Sequence, residues 1–209
     1  LAMDLRFEPT QALLLQGREG LSRKGPLPEQ ASYYYSLPQL AARGEIGWQS
    51  ERFTVAGKAW LDHEWSEALL HPDAVGWDWI GMNYHDGSAL TAFRLRRRDG
   101  STLWSGGSFR TRSSRGVQTF IAGPGEVEFS PQRFWTSPLS RARYPMEWIV
   151  HTPADFYTVR ALLDAQEMDS RASTGALYWE GLSELVESNG QPVGLGYLEM
   201  TGYAAPLRL

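Results

Sequence analysis

The feature that most constrains this chain is a two-residue alternation of apolar and polar side chains, repeated in short runs. Runs of about 4–8 residues rich in Val, Ile, Thr and aromatics are bounded by Gly, Pro, Asn and Asp. Period two belongs to strands, whose successive side chains point to opposite faces. Asp4–Phe7 reads as strand, as do Leu90–Leu95, Leu103–Arg112 and Phe156–Leu163. Met146, Trp148 and Val150 alternate with Glu147, Ile149 and His151. Asp86-Gly87, Asp99-Gly100 and Asn189-Gly190 predict two-residue hairpin turns with both φ angles positive. The last of these joins Leu182–Glu187 to Gly194–Tyr203. Helix is expected in only two places, Glu64–Leu70 and Pro153–Tyr157. Gly17–Glu29 reads as an exposed connecting loop, and the pattern restarts after His71-Pro72-Asp73. Many short strands separated by turn signals predict an all-β barrel or sandwich.

Composition removes several classes. A length of 209 residues allows one large domain or two small ones. The net charge of −4 offers no basic excess for nucleic acid or an anionic membrane face. The absence of cysteine excludes disulfides, thiolate metal sites and cysteine nucleophiles. No apolar run is long enough to be a transmembrane helix. The start, LAMDLRFEP, lacks an initiator Met and a signal-peptide pattern, and reads as processed or as part of something longer. The arginines Arg94, Arg96, Arg97 and Arg98, like Arg110, Arg112 and Arg115, read as solvated strand and turn residues.

Nine tryptophans are the compositional oddity. Trp60, Trp65, Trp77 and Trp79 are close together in the chain. Each alone is explained by core filling. Interleaved with polar residues as they are, Trp65, Trp77 and Trp79 instead read as the lining of a small-molecule site. The densest candidate is Trp60-Leu61-Asp62-His63-Glu64-Trp65-Ser66. In an extended segment Asp62 and Glu64 share one face beside Trp60, and His63 shares the other with Leu61 and Trp65. A histidine beside an indole and near carboxylates suits acid–base work near neutral pH; a charged strand end is the plain alternative. His63 and Glu64 with His71 or His85 lack metal-ligand spacing, so no metal or cofactor is expected. Tyr84 and Asp86 offer a phenol and a carboxylate, although Asp86 doubles as a turn residue. Glu180 and Glu199 each stand among aromatics, and either would be a proton donor or polar anchor if it pointed inward. No G-x-S-x-G elbow or P-loop occurs, and Gly194-Leu195-Gly196 lies in a strand context.

The stretch Gly57–Ser66, preceded by Ser32–Ser36 and followed by Gly76-Trp77-Asp78-Trp79, resembles the carotenoid hydratase (CrtC)/AttH-like family. Tyr178–Gly181 and Gly196–Tyr203 fit the same family, which includes proteins labelled predicted secreted hydrolases. The resemblance implies tandem lipocalin-like (calycin-type) antiparallel β-barrels. Residues 1–72 would be the last part of a first barrel truncated at its N-terminus, and 73–209 a second barrel. It implies a site at the barrel junction for a lipid, isoprenoid or polyene, lined by Trp60, Asp62, Glu64, Trp77, Trp79, Glu180 and Glu199. In hydratase members water adds to a C=C bond through a carbocation, without a cofactor. The family's His-x-Trp and Tyr-x-Asp pairs would fall on His63, Trp65, Tyr84 and Asp86. Asp86 would then donate the proton, Trp65 stabilise the cation, and His63 and Tyr84 orient the groups or activate water. The alternative is a non-catalytic lipid-binding envelope protein associated with an ABC transporter; a secreted hydrolase has no nucleophile–base pair to support it. Expected partners are the apolar ligand and a further segment or chain completing the first barrel, and the expected location is the periplasm, the envelope or outside the cell.

Overall fold

In the computed structural model the chain is all β, and no helix occurs among the described residues, 1–67, 70–113, 116–173 and 175–207. The first sheet holds β1 (Ala2–Glu8), β2 (Leu14–Leu15), β3 (Leu21–Arg23), β4 (Ala31–Trp48) and β5 (Glu51–Trp65). The long strand β4 is its spine. β5 pairs along one edge, while β1 and the short strands β2 and β3 share the other. A bulge between Leu37 and Leu40 breaks the β4–β5 register. There Gln39 takes a positive φ of 58° and turns its side chain toward the second sheet.

The second sheet begins with β6 (Gly76–Tyr84), β7 (Ala89–Arg96), β8 (Thr102–Ser113), β9 (Gly116–Ala122) and β10 (Glu128–Pro131). A small pair, β11 (Phe134–Thr136) and β12 (Arg143–Pro145), stands apart. The sheet resumes with β13 (Glu147–His151), β14 (Phe156–Ala161), β15 (Glu167–Ser170), β16 (Ala176–Glu187) and β17 (Pro192–Met200). The strand order is β10-β13-β14-β16-β17-β6-β7-β8-β9, antiparallel throughout, with β15 on the side of β16. The sheet curls on itself, so Tyr84 of β6 meets Tyr157 of β14 edge-on at 6.2 Å.

Alternation decides what fills this barrel. Ile80, Met82, Leu198 and Met200 point inward and join the fully buried Trp148, Trp179, Tyr144 and Met146. Each buried indole removes about 150–250 Å² from water, on the order of 4–6 kcal/mol as an upper bound. The interior is thus a packed core rather than a container. It also holds charge. Asp78, fully buried, accepts from Arg94 Nε at 2.7 Å and from Tyr203 Oη at 2.8 Å, and Arg96 Nε lies 3.0 Å away. Arg96 lies over the Tyr203 ring at 3.9 Å and Arg94 over Trp148 at 5.0 Å.

Several expectations are corrected by this architecture. Arg94 and Arg96 are buried because Asp78 faces the same interior. Arg110 is buried too, donating to the carbonyls of Ala12 and Leu13 at 2.6 Å; Arg115 lies outside the described residues. The expected helix at Glu64–Leu70 is strand through Trp65, with Ala68 and Leu69 outside the described residues. Pro153–Tyr157 is a bend leading into β14, tied by Thr152 Oγ1 to the Asp155 carbonyl at 2.9 Å. The supposed loop Gly17–Glu29 contains β3, paired with β4. The three Asp/Asn-Gly turns are three-residue loops with only the glycine at positive φ: Gly87 at 92°, Gly100 at 84° and Gly190 at 83°. In each, the preceding Asp or Asn side chain accepts from the backbone N–H two residues on. That capping bond favours the right-handed conformation for the Asp or Asn, leaving the left-handed position to glycine alone.

The first sheet docks on the outer face of β6 and β7 through polar contacts. Gln16 Nε2 donates to Ser36 Oγ at 2.9 Å and to Thr91 Oγ1 at 3.0 Å. Gln39 Nε2 donates to the carbonyls of Tyr84 and Ser88 at 2.8 Å, and the Gln39 N–H to Asn83 Oδ1 at 2.8 Å. These bonds fix the gap in which the site lies.

Candidate functional site

The gap between the sheets is lined by strand faces that alternation turns toward it. From β6 and β7 come Trp77, Trp79, Phe93 and Leu95, each next to a residue that points into the barrel. Tyr34 comes from β4, Asp62 and Glu64 from β5 and Glu199 from β17. Together they bound a cavity of about 490 Å³, within the size range of small-molecule sites. A second cavity, of about 700 Å³, shares Asp62, Trp79 and Glu199 with the first and adds Trp60, Glu180, Leu5 and Phe7. Asp62, Trp79 and Glu199 therefore form a waist common to both.

Trp79 is held firmly. Its Nε1 donates to Tyr34 Oη at 3.1 Å, and its ring meets Trp60 edge-on at 6.3 Å. Gly81 makes room for both: a Cβ there would stand 2.3 Å from the Trp79 ring and 3.0 Å from Trp60. On β5, Asp62 accepts from Trp60 Nε1 at 2.9 Å and from Ser36 Oγ. Glu64 accepts from Ser32 Oγ and pairs with Lys24 Nζ at 2.9 Å.

The electrostatics follow from this crowding. Burial pushes the Glu199 carboxyl up to about 7, with help from the charges of Glu180, Asp62 and Glu64 and against a hydrogen bond from Trp77. Burial also raises Glu180. Asp62 is raised by burial despite the opposing bonds from Ser36 and Trp60; its residue surface stays open while the carboxyl is crowded by protein. Burial and the carboxylates of Asp62 and Glu64 push Tyr34 well above the ordinary phenol range. A carboxyl poised near 7 in an aromatic cavity can give or take a proton at neutral pH.

The structure brings Trp60, Asp62, Glu64, Trp65, Trp77, Trp79, Glu180 and Glu199 to the two cavities. It does not bring His63, Tyr84 and Asp86 there. His63 lies on the opposite face of β5, stacked on Tyr35 at 5.3 Å and edge-on to Trp65 at 5.1 Å. One residue of offset in a strand reverses the face. Tyr84 points into the barrel core against Phe109 at 5.6 Å, where burial raises its pKa far beyond ordinary phenols. Asp86 is spent on its turn, accepting from the Ser88 N–H at 2.8 Å and Ser88 Oγ at 3.1 Å. Among the described residues no three His, Asp or Glu side chains are grouped as a metal site would need. No helix among them is long and apolar enough to cross a membrane.

Sequence reasoning missed Lys24, Tyr34 and Phe93 as members of the site. Lys24 follows β3 in a segment of ordinary loop composition, and nothing local marks it. Tyr34 was signalled only by its place in the Ser32–Ser36 stretch, between two tyrosines that face away.

Comparison with known proteins gives these findings. The AttH-like family model matches residues 1–203. The solved structure of a protein described as AttH from Nitrosomonas europaea is similar over 95% of this chain and 61% of its own, with 47% identity and a TM-score of 0.89. Kievitone hydratase from Nectria haematococca is similar over 96% of this chain and 61% of its own, with 18% identity and a TM-score of 0.74. At that identity the likeness speaks for the fold, a lipocalin-like all-β architecture. The chain thus spans 61% of the length of each neighbour. No curated protein matches it.

Proposed function

Because the chain belongs to the AttH-like family, we propose that it holds an apolar small molecule between its sheets and adds water to one of that molecule's C=C bonds. The ligand class is a lipid, isoprenoid or polyene. The observation that carries the reading is Glu199, a carboxyl poised near 7 in a cavity walled by Trp77, Trp79 and Tyr34. In the step proposed, the π pair of the alkene takes the proton of the Glu199 carboxyl. The positive charge left on carbon lies in reach of the indole faces and of Asp62. A water lone pair forms the C–O bond, and the proton it sheds returns to Glu199 directly or through Asp62. Atoms and charge balance without a cofactor. The proton transfers are assigned to Glu199 and Asp62 because His63, Tyr84 and Asp86 face elsewhere. The likeness to a hydratase fold supports this reading at the level of architecture.

The test is incubation with an acyclic polyene in ¹⁸O-labelled water, followed by mass spectrometry. A product gaining about 20 Da, lost in Glu199→Gln, is expected. Saturable binding with no mass gain would put the non-catalytic lipid-binding reading in its place.

A further inference from the structure

We propose that the inter-sheet cavity recognises a cation, and that its ligand is an organic ammonium carried on an apolar body. The inference rests on the reading that this cavity binds a small molecule, and it names the polar end of that molecule. The walls carry the aromatic rings of Tyr34, Trp77, Trp79 and Phe93, and the titratable side chains among them are mostly acidic. Asp62, Glu64 and Glu199 line the first cavity against one cation, Lys24. The adjoining cavity adds Glu180 against Lys58. An anionic head group would face the carboxylates of Asp62 and Glu64; an ammonium would relieve them.

The protein already displays the binding mode with a group of its own. The Lys24 ammonium stands 4.2 Å from the Phe93 ring centroid and 4.7 Å from that of Tyr34, and pairs with Glu64 at 2.9 Å. Rings on two sides and a carboxylate on a third is the arrangement by which proteins hold alkylammonium groups. Lys24 neutralises Glu64 alone. Asp62, at the waist beside Trp79, has no cationic partner among the described contacts, and the space for one lies next to it, which leaves Glu199 to the proton transfer. The second cavity, with Leu5, Phe7 and Leu40, offers apolar surface for the body of the ligand.

The experiment is a titration, followed by tryptophan fluorescence and calorimetry at pH 8, with three probes of one chain length below their micelle concentrations: dodecyltrimethylammonium, dodecanol and dodecanoate. The ammonium is expected to bind at least tenfold more tightly than the alcohol, and the carboxylate most weakly. Asp62→Asn should shrink the ammonium-over-alcohol preference about threefold or more. Lys24→Met, which empties the ring pair and frees Glu64, should strengthen ammonium binding. Equal affinity for ammonium and alcohol, or preference for dodecanoate, overturns the head-group inference and leaves the apolar-ligand reading intact. Failure of all three probes to bind overturns both.

Discussion

Glu180 on β16 and Glu199 on β17 stand directly opposite each other in the antiparallel register, on the face of the barrel wall turned toward the first sheet. Like charges in that relation destabilise a strand pair. Burial first, and this repulsion second, push the Glu199 carboxyl up to about 7, so that it holds a proton more readily than a free glutamate.

A pH dependence of stability follows. The folded state binds the Glu199 proton more tightly than the unfolded chain, whose carboxyl titrates near the ordinary glutamate value of 4.5. This contribution is therefore complete below about pH 4.5 and lost as pH rises through about 7. The groups facing Glu199 are Glu180, Asp62 and Glu64, with Trp77 donating a hydrogen bond. Glu199→Gln should be more stable than the parent at pH 8 by on the order of 2 kcal/mol, allowing for partial exposure. Thermal melts at pH 5 and pH 8 check this. The advantage of the variant should shrink toward the acid side.

The cavity wall and the far face of β5 should separate by mutation. Trp79→Phe removes the hydrogen bond to Tyr34 and part of the cavity wall. It should weaken binding of an apolar dye about fivefold, the worth of roughly 40 Å² of apolar wall at about 25 cal/mol per Å². His63→Ala, on the opposite face, should change dye affinity less than twofold. Equal losses in the two titrations would contradict the face assignment.

Asp86 serves its turn, so Asp86→Asn should retain the fold and the proposed water-adding activity, because the amide oxygen can still accept from the Ser88 N–H. Asp86→Ala should lose about 1 kcal/mol, the usual worth of one such hydrogen bond. Activity assays beside urea titrations distinguish this from a proton donor, for which Asn would be inactive.

Asp78 balances two buried guanidinium groups. Asp78→Asn should cost about 3–5 kcal/mol, since the remaining charges stay buried without their counter-ion. A urea denaturation curve shifted by that amount, with an unchanged slope, is the expected result. A near-neutral variant would show that water reaches the pair.

Much of the architecture could be read along single strands, because a period of two assigns faces without knowledge of the fold. Trp60, Asp62 and Glu64 separate from His63 on that basis alone, and Ile80 and Met82 separate from Trp79 and Gly81. What required three dimensions was the meeting of faces from distant strands. Glu199 reaches Trp79 because β17 pairs with β6 across more than a hundred residues of sequence, in the register Glu199↔Trp79. Arg94 and Arg96 looked solvated because Asp78 lies on a different strand, pointing into the same interior. Lys24 looked like a loop residue because its partners, Tyr34, Phe93 and Glu64, come from three other strands. The Asp/Asn-Gly turns were placed correctly, but their loop length was not, since the side-chain cap that fixes the first residue is a local competition the dipeptide alone does not decide.

The wall formed by β6 and β17 has a different occupation on each side. Ile80, Met82, Leu198 and Met200 hold the barrel together, while Trp77, Trp79 and Glu199, interleaved with them residue by residue, face the cavity. Selection can therefore act on the two rows separately. Which molecule is accepted can drift by substitutions on one side, with the packed core of the other side left untouched, and a single scaffold can be retuned for many ligands without first becoming unstable.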